Sequence, residues 1–210
     1  MPYVLNTIPM TPFQHRLMIL KLSLKSFFTP YKKKREYLDR ITFESRKIAI
    51  DRGLIFAFFT LISYGRGSSY ETIAQINWEK SYIHRAVDIV FFTRLIMAPE
   101  HYIKITIFHE YCHFLMKAIP NPMIWQMAKF YSTNRFPHLH NDMEEDFCDL
   151  FGYYIVDKDT GDQELNSFLE EFIRNTEAII DKQNWIFRAV EMPDYYLDPD
   201  PFRRLRMNPK

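Results

Sequence analysis

Two histidines and a glutamate fall in the order His109-Glu110-Tyr111-Cys112-His113, an H-E-x-x-H pattern inside ITIFHEYCHFLMKA. On an α-helix, residues four apart leave the same face, so both imidazoles can grip one metal ion. Glu110 stands three residues before His113 and can reach a water activated by that metal, as a general base. The chemistry this combination supports is hydrolysis, and zinc is the expected ion. A catalytic zinc site usually has three protein ligands. Glu145, 32 residues after His113, is the expected third, with His138, His140, Glu144 and Asp146 as rivals. Asp149, one turn beyond Glu145, is placed to accept the remaining ring N–H of a ligand histidine and fix its tautomer. Peptide hydrolysis also needs a donor for the tetrahedral oxyanion. His138, His140 and Tyr131 are equal candidates for it.

These side chains need two helices. The first is expected from Ala98-Pro99-Glu100, which gives a proline and an acid suited to a first turn, to the stop at Pro120-Asn121-Pro122. Its residues are apolar on nearly every face, as in a helix buried at the centre of a domain. The β-branched run Ile103, Ile105, Thr106, Ile107 argues for a strand instead. A strand would hold residues 109 and 113 about 13 Å apart, too far to share a metal. The competing reading of the motif is a chance match, with two histidines satisfied in the core.

The second helix is expected after Asn141 as N-cap, with acids filling its first turn. It places Glu145 and Asp149 on one face and Phe147, Phe151 and Tyr154 on another, towards the core. Val87–Met97 has strand composition and leads into the first helix, where it can form the floor or edge of a cleft that an extended peptide joins as another strand. Leu54–Tyr64 reads as a buried strand or a buried helix. Gly65–Ser68 reads as a turn, and Ser68 with Glu71 as a capping box opening a helix through about Lys80. Residues 36–50 look helical, 123–140 read as a short helix and a loop, and Asp162–Lys182 as an amphipathic helix. The expected fold class is α+β: mainly helical, with a small sheet beside the H-E-x-x-H helix.

The chain has 210 residues, 47% hydrophobic and 17% aromatic, enough for one globular core. Its formal net charge of +1 names no partner. The distribution is uneven: residues 1–50 carry 10 Lys/Arg against 3 Asp/Glu, and residues 141–200 carry 17 acids against 4 bases. Two solvated faces that attract one another are the preferred explanation, with a basic docking surface as the alternative. Residues 14–28 mix Leu, Ile and Phe with Arg16, Lys21 and Lys25, and Lys32-Lys33-Lys34-Arg35 follow. A helix packed on the domain with a solvated basic end is expected, ahead of an amphipathic helix lying on a membrane or an acidic partner. Nucleic acid is disfavoured, because the cluster lacks aromatic interleaving. The expected organisation is a basic helical extension over 1–50, a domain over 51–190 and an extended proline-rich tail over 191–210. Cys112 and Cys148 make no disulfide framework and read as reduced, buried residues. With no secretory signal at its start and no apolar run long enough to span a bilayer, the chain is expected to be cytoplasmic.

At the site residues the chain resembles a known family. Arg94–Glu100 followed by Ile105-Thr-Ile-Phe-His109-Glu-Tyr-Cys-His113-Phe-Leu is similar to the strand, turn and H-E-x-x-H helix of ImmA/IrrE-type zinc metallopeptidases. Glu145-Asp-Phe-Cys148-Asp149-Leu-Phe151-Gly-Tyr-Tyr-Ile-Val156 is similar to that family's E-x-x-A-N-x-F-A-x-x-L-L segment. Cys112 and Cys148 replace small residues usual there. The resemblance spans roughly residues 87–156. It implies a zincin-like fold, zinc on His109, His113 and Glu145, and Glu110 as the base. It also implies limited proteolysis of a protein substrate, typically a helix-turn-helix repressor. A wider resemblance, to lethal-factor-like peptidases, implies the same fold and ligands with an unrelated substrate. The alternative outside enzymology is a degenerate peptidase fold serving as a metal-binding or interaction module, against which the intact Glu110 argues.

Overall fold

The computed structural model describes residues 12–54, 61–65, 74–78, 81, 87–92, 96–136, 138, 140 and 142–183. They form six helices, α1 (Pro12–Phe28), α2 (Tyr31–Asp51), α3 (Glu100–Met116), α4 (Asn121–Ser132), α5 (Met143–Asp157) and α6 (Gln163–Gln183), with three strands, β1 (Leu61–Gly65), β2 (Ala74–Ile76) and β3 (Asp88–Phe92). The arrangement is α+β, mostly helical with one small mixed sheet. No helix among the described residues is long and apolar enough to cross a membrane.

Helix α3 is the axis of the fold. Pro99 sits at its N-cap, its fixed φ aligned with the first turn, and Glu100 opens that turn at the positive end of the helix dipole. Ten of its residues are buried, among them Ile103, Ile105, Ile107, Phe108, Tyr111 and Cys112, so packing on all sides decides the helix over the strand that its β-branched residues favour in isolation. Helix α5 crosses it most intimately, at Gly152. A Cβ on Gly152 would stand 2.7 Å from the Ile105 carbonyl oxygen. A glycine inside a helix costs about 0.5–1 kcal/mol relative to alanine, and here it allows the two backbones to touch.

The remaining helices lock this pair. From α2, Leu38 and Ile41 are fully buried, and the Tyr37 hydroxyl donates to the Ala98 carbonyl at 2.8 Å, just before α3 begins. Lys104 of α3 reaches Glu44 at 2.7 Å and Glu100 at 2.8 Å, and Arg40 reaches Glu100 at 2.9 Å. At the other end of α2, the Arg52 guanidinium donates to the carbonyls of Tyr154 and Ile155, satisfying the last turn of α5. Lys158 closes α5 in the left-handed region, with φ of 73°. Helix α6 presents Leu165, Phe168, Leu169, Phe172 and Ile173 to the core, as its amphipathic pattern predicts. Its Glu177 accepts a 2.6 Å hydrogen bond from the buried Tyr111 hydroxyl.

The sheet corrects several expectations. Its order is β1-β3-β2, with β1 parallel and β2 antiparallel to β3. Among the described residues, the strand before α3 covers Asp88–Phe92, and Ile96 and Met97 lie in a turn. All five residues of β3 are buried, and it lies between β1 and β2, so it is not the strand that an extended peptide could join. The helix expected through Lys80 gives way at Ala74–Ile76 to β2, paired Ala74 to Phe91 and Ile76 to Ile89. Its alternation, with Ala74 and Ile76 buried and Gln75 exposed, is a period-2 signal three residues long, too short to recognise without the partner strand. The capping box at Ser68 and Glu71 lies outside the described residues, as does the proline-rich tail. Of Leu54–Tyr64, the C-terminal part is strand β1 and residues 55–60 lie outside the description.

Candidate metal centre

Three ligand atoms converge where α5 crosses α3. His109 Nε2 and His113 Nε2 stand 3.1 Å apart. The Glu145 carboxylate completes the triangle, with Oε2 at 3.3 Å from His109 Nε2 and Oε1 at 3.5 Å from His113 Nε2. Three donors on a tetrahedral ion with bonds of about 2.0–2.1 Å would be separated by roughly 3.3 Å. The observed triangle has that size. His109, His113 and Glu145 therefore form a group able to hold a metal ion, and it is the one such group among the described residues.

The rings are held so that the right nitrogens meet. His109 Nδ1 donates to Asp149 Oδ1 at 2.7 Å, and His113 Nδ1 donates to Glu144 Oε1 at 2.8 Å. With both Nδ1 protons committed to carboxylates, both Nε2 atoms are the ones turned into the triangle, where a cation would replace their protons. Asp149 meets its expected role. Glu144 was expected to be a rival ligand, and it holds the second histidine instead. The spacing carried a signal: Glu144 and Asp149 flank Glu145 at −1 and +4, which brings one carboxylate behind each imidazole. Cys148 adds its sulfur 3.5 Å from His113 Nδ1. Both cysteines are buried and free.

Helix α5 delivers these carboxylates through a cap one residue later than expected. The Asp142 side chain, not Asn141, accepts from the backbone N–H groups of Glu144 and Glu145. Asn141 itself lies outside the described residues. An aspartate shares asparagine's capping ability and adds a favourable charge at the dipole's positive end, so the adjacent pair was ambiguous in sequence.

Charge and burial compete at the site. Burial opposes a charge on His109, but its hydrogen bonds to Asp149 and Glu145 outweigh that and raise its pKa to about 9. His113 moves upward too, burial being overcome by the Cys148 sulfur and by Glu144 and Glu145. The two histidines hold the Glu145 carboxyl well below the usual range. The metal-free group thus shares protons among the atoms that a cation would replace. Glu110 behaves differently. It is 8% exposed, and burial pushes its pKa up, against the two histidines and a backbone N–H hydrogen bond from Ile76 of β2.

Glu110 and the ligand triad share a cleft of about 360 Å³, whose far wall is Ala74, Gln75, Ile76 and Trp78. Strand β2, which was expected to be helix, thus forms the edge of the cleft, and Trp78 continues that wall beside Phe114 and under the Lys117 ammonium. The three candidate oxyanion donors are placed elsewhere. Tyr131 meets the His138 ring at a tilt, with centroids 4.4 Å apart, His138 Nδ1 is 4.0 Å from Asp146, and His140 Nε2 bonds Asp149 Oδ2 at 2.9 Å. None of the three is among the residues lining the cleft. Asp146 is fully buried and accepts from the His140 backbone N–H at 2.9 Å, so it organises the loop before α5.

Searched against family models, curated proteins and solved structures, the chain finds no match in any of the three.

Proposed function

We propose that the protein is a zinc-dependent endopeptidase, a zincin-like hydrolase acting on a protein or peptide substrate by limited proteolysis. The observation that carries this reading is the triangle of His109 Nε2, His113 Nε2 and Glu145, sized for a tetrahedral ion and opening on the same cleft as Glu110. When bound, zinc acts as a Lewis acid, lowering the pKa of water towards about 7 and polarising the scissile carbonyl. Asp149 and Glu144 keep the two rings in the ligating tautomer. Glu110 takes the proton of the attacking water and passes it to the leaving amine, and the burial that raises its pKa suits a base working near neutrality. Among the described residues β2 ends the sheet, and beside the Ile76 N–H that Glu110 engages its outer edge offers further backbone groups to an extended peptide, which joins the sheet as a further strand. A helix-turn-helix repressor is the substrate that the ImmA/IrrE resemblance implies. A buried Glu110 opening on the same cleft as the ligand triangle favours the enzyme over a degenerate fold, because a metal-binding scaffold has no use for a base there.

The test separates ligand from base. Purified protein is expected to carry about one zinc per chain by mass spectrometry. Glu110→Gln keeps that zinc and loses cleavage of a denatured-casein or peptide-library substrate, since an amide takes no proton. A wild-type chain without zinc, and with a melting temperature unmoved by zinc or chelator, overturns the proposal. Loss of zinc in Glu110→Gln would move Glu110 into the ligand set.

A further inference from the structure

Helix α1 turns an apolar stripe outward. Phe13, Leu17, Leu20, Leu24 and Phe27 recur at intervals of four and three residues along it, and all are exposed, Phe27 at 79% and its neighbour Phe28 at 76%. The opposite face makes the contact with the fold: Ser26 is buried, and Leu22 packs partly buried against the core. The hydrophobic pattern that would ordinarily dock such a helix on its own domain therefore points away from it. A contiguous stripe of this kind marks a surface that meets something apolar.

The charges around the stripe say what. By helical geometry, Arg16 borders it on one side and Lys21 and Lys25 on the other, all exposed. None of the three pairs with an acid among the described residues. Lys32, Lys33, Lys34 and Arg35 follow at the start of α2. Residues 1–35 hold these seven cations and no Asp or Glu at all. A second copy seated stripe to stripe would bring Arg16, Lys21 and Lys25 against like charges, while the nearest acids, Glu36 and Asp39, are already engaged by Lys32 and Arg35. A nucleic acid would meet the cations but leave Leu20, Leu24, Phe27 and Phe28 in water. A surface that is anionic at its rim and fluid and apolar beneath satisfies both at once. Leucines and phenylalanines enter the acyl boundary, and the flanking lysines extend their stems outward to the headgroups.

We infer that α1, with the basic start of α2, is a peripheral membrane-binding surface for bilayers rich in anionic phospholipid. The helix lies in the interface plane on its Phe13–Phe27 stripe. This binding is independent of the metal centre.

Co-sedimentation of the full chain with phosphatidylcholine vesicles, with and without phosphatidylglycerol, tests it. The chain is expected to pellet with the phosphatidylglycerol vesicles at low salt, to be released by added salt, and to stay in solution with phosphatidylcholine alone. Lys21→Ala and Lys25→Ala are each expected to weaken partitioning roughly fivefold. Leu20→Gln with Leu24→Gln is expected to abolish it while leaving circular dichroism and the melting temperature unchanged, because both side chains are already exposed. Glu110→Gln is expected to bind vesicles as the wild type does, so failure of the peptidase reading would not touch this one. Three results overturn the inference: no pelleting with anionic vesicles at low salt, pelleting unaffected by the leucine substitutions, or capture of the stripe by an acidic polypeptide or a second copy with vesicles ignored.

Discussion

Helices α5 and α1 both carry charge of one sign, and the two use it in opposite ways. In α5, Glu144 and Asp149 each hold a histidine ring, Glu145 faces both imidazoles, and buried Asp146 accepts from the His140 backbone. In α1, Arg16, Lys21 and Lys25 stand in solvent beside exposed leucines and phenylalanines. Charge that finds its partner inside the fold fixes geometry and ties stability to function. Charge left outside fixes nothing within the fold and is available to a surface elsewhere. A substitution in α5 should therefore disturb the metal site and the fold together, whereas one in α1 should disturb neither.

The sharpest contrast is between Glu145→Ala and Lys21→Ala. The first is expected to take bound zinc from about one per chain to none, and the second to leave it unchanged, as read by metal analysis after dialysis. Equal retention of zinc in both would dissolve the distinction. Next comes the helix crossing. Gly152→Val puts carbon atoms where the Ile105 carbonyl oxygen stands and is expected to destabilise the chain by several kcal/mol in denaturant titration, with Gly152→Ala costing about 1–3 kcal/mol. If Gly152→Ala were neutral, the close approach of α3 and α5 would not be what holds the triad together. Smaller again are the two carboxylates behind the rings. Glu144→Ala and Asp149→Ala should each weaken zinc affinity by about 10- to 100-fold, measured by competition with a fluorescent chelator. An effect of Asp149→Ala alone would make the Glu144 contact incidental.

The smallest effect lies at the exposed end of α3, where hydrogen bonds from Lys104 and Arg40 hold the Glu100 carboxyl at about 2, below its ordinary 4.5. A carboxyl depressed in the folded state contributes stability that is fully present above pH 4.5 and is lost as the pH falls through about 2. Wild type and Glu100→Gln should thus differ most above pH 4.5 and converge below it in unfolding experiments. The difference should stay modest throughout, because the side chain is partly exposed and screened. Curves that remain parallel down to pH 2 would show that the network between α2 and α3 adds nothing.

What could be read in the sequence follows the length scale of each signal. H-E-x-x-H fixes its own geometry once helical, and seventeen residues apolar on nearly every face outweigh the strand preference of Ile103, Ile105, Thr106 and Ile107. Glu145 and Asp149 were legible because a four-residue spacing is itself a face. Glu144 was legible only as a neighbour of Glu145: its spacing puts it beside the site, but its bond to His113 in place of a ligand role depends on the angle at which α5 crosses α3, which no local pattern encodes. Strand β2 was missed for the same reason: three residues acquire strand identity only from β3. The stripe on α1 was visible, but a pattern of leucines tells where an apolar face is, not whether the fold covers it. Tyr131, His138 and His140 were expected as oxyanion donors, but none lines the cleft; His138 and His140 turn towards Asp146 and Asp149, an orientation set by the loop's path and by no spacing in the sequence.

The hydrogen bond from Tyr111 to Glu177 has a practical consequence for anyone wishing to trim the protein. Tyr111 is the residue after Glu110, and its hydroxyl is satisfied 66 positions later, near the far end of α6. A chain cut before residue 177 would keep every proposed ligand and the base, yet leave a phenol buried behind them without an acceptor, at a cost of about 1–3 kcal/mol. It would also strip Phe168, Phe172 and Ile173 of their covering partners or remove them outright. A shortened chain that keeps the candidate metal centre fully supported must therefore extend some thirty residues beyond Glu145, through a helix that contributes no residue to the cleft lining.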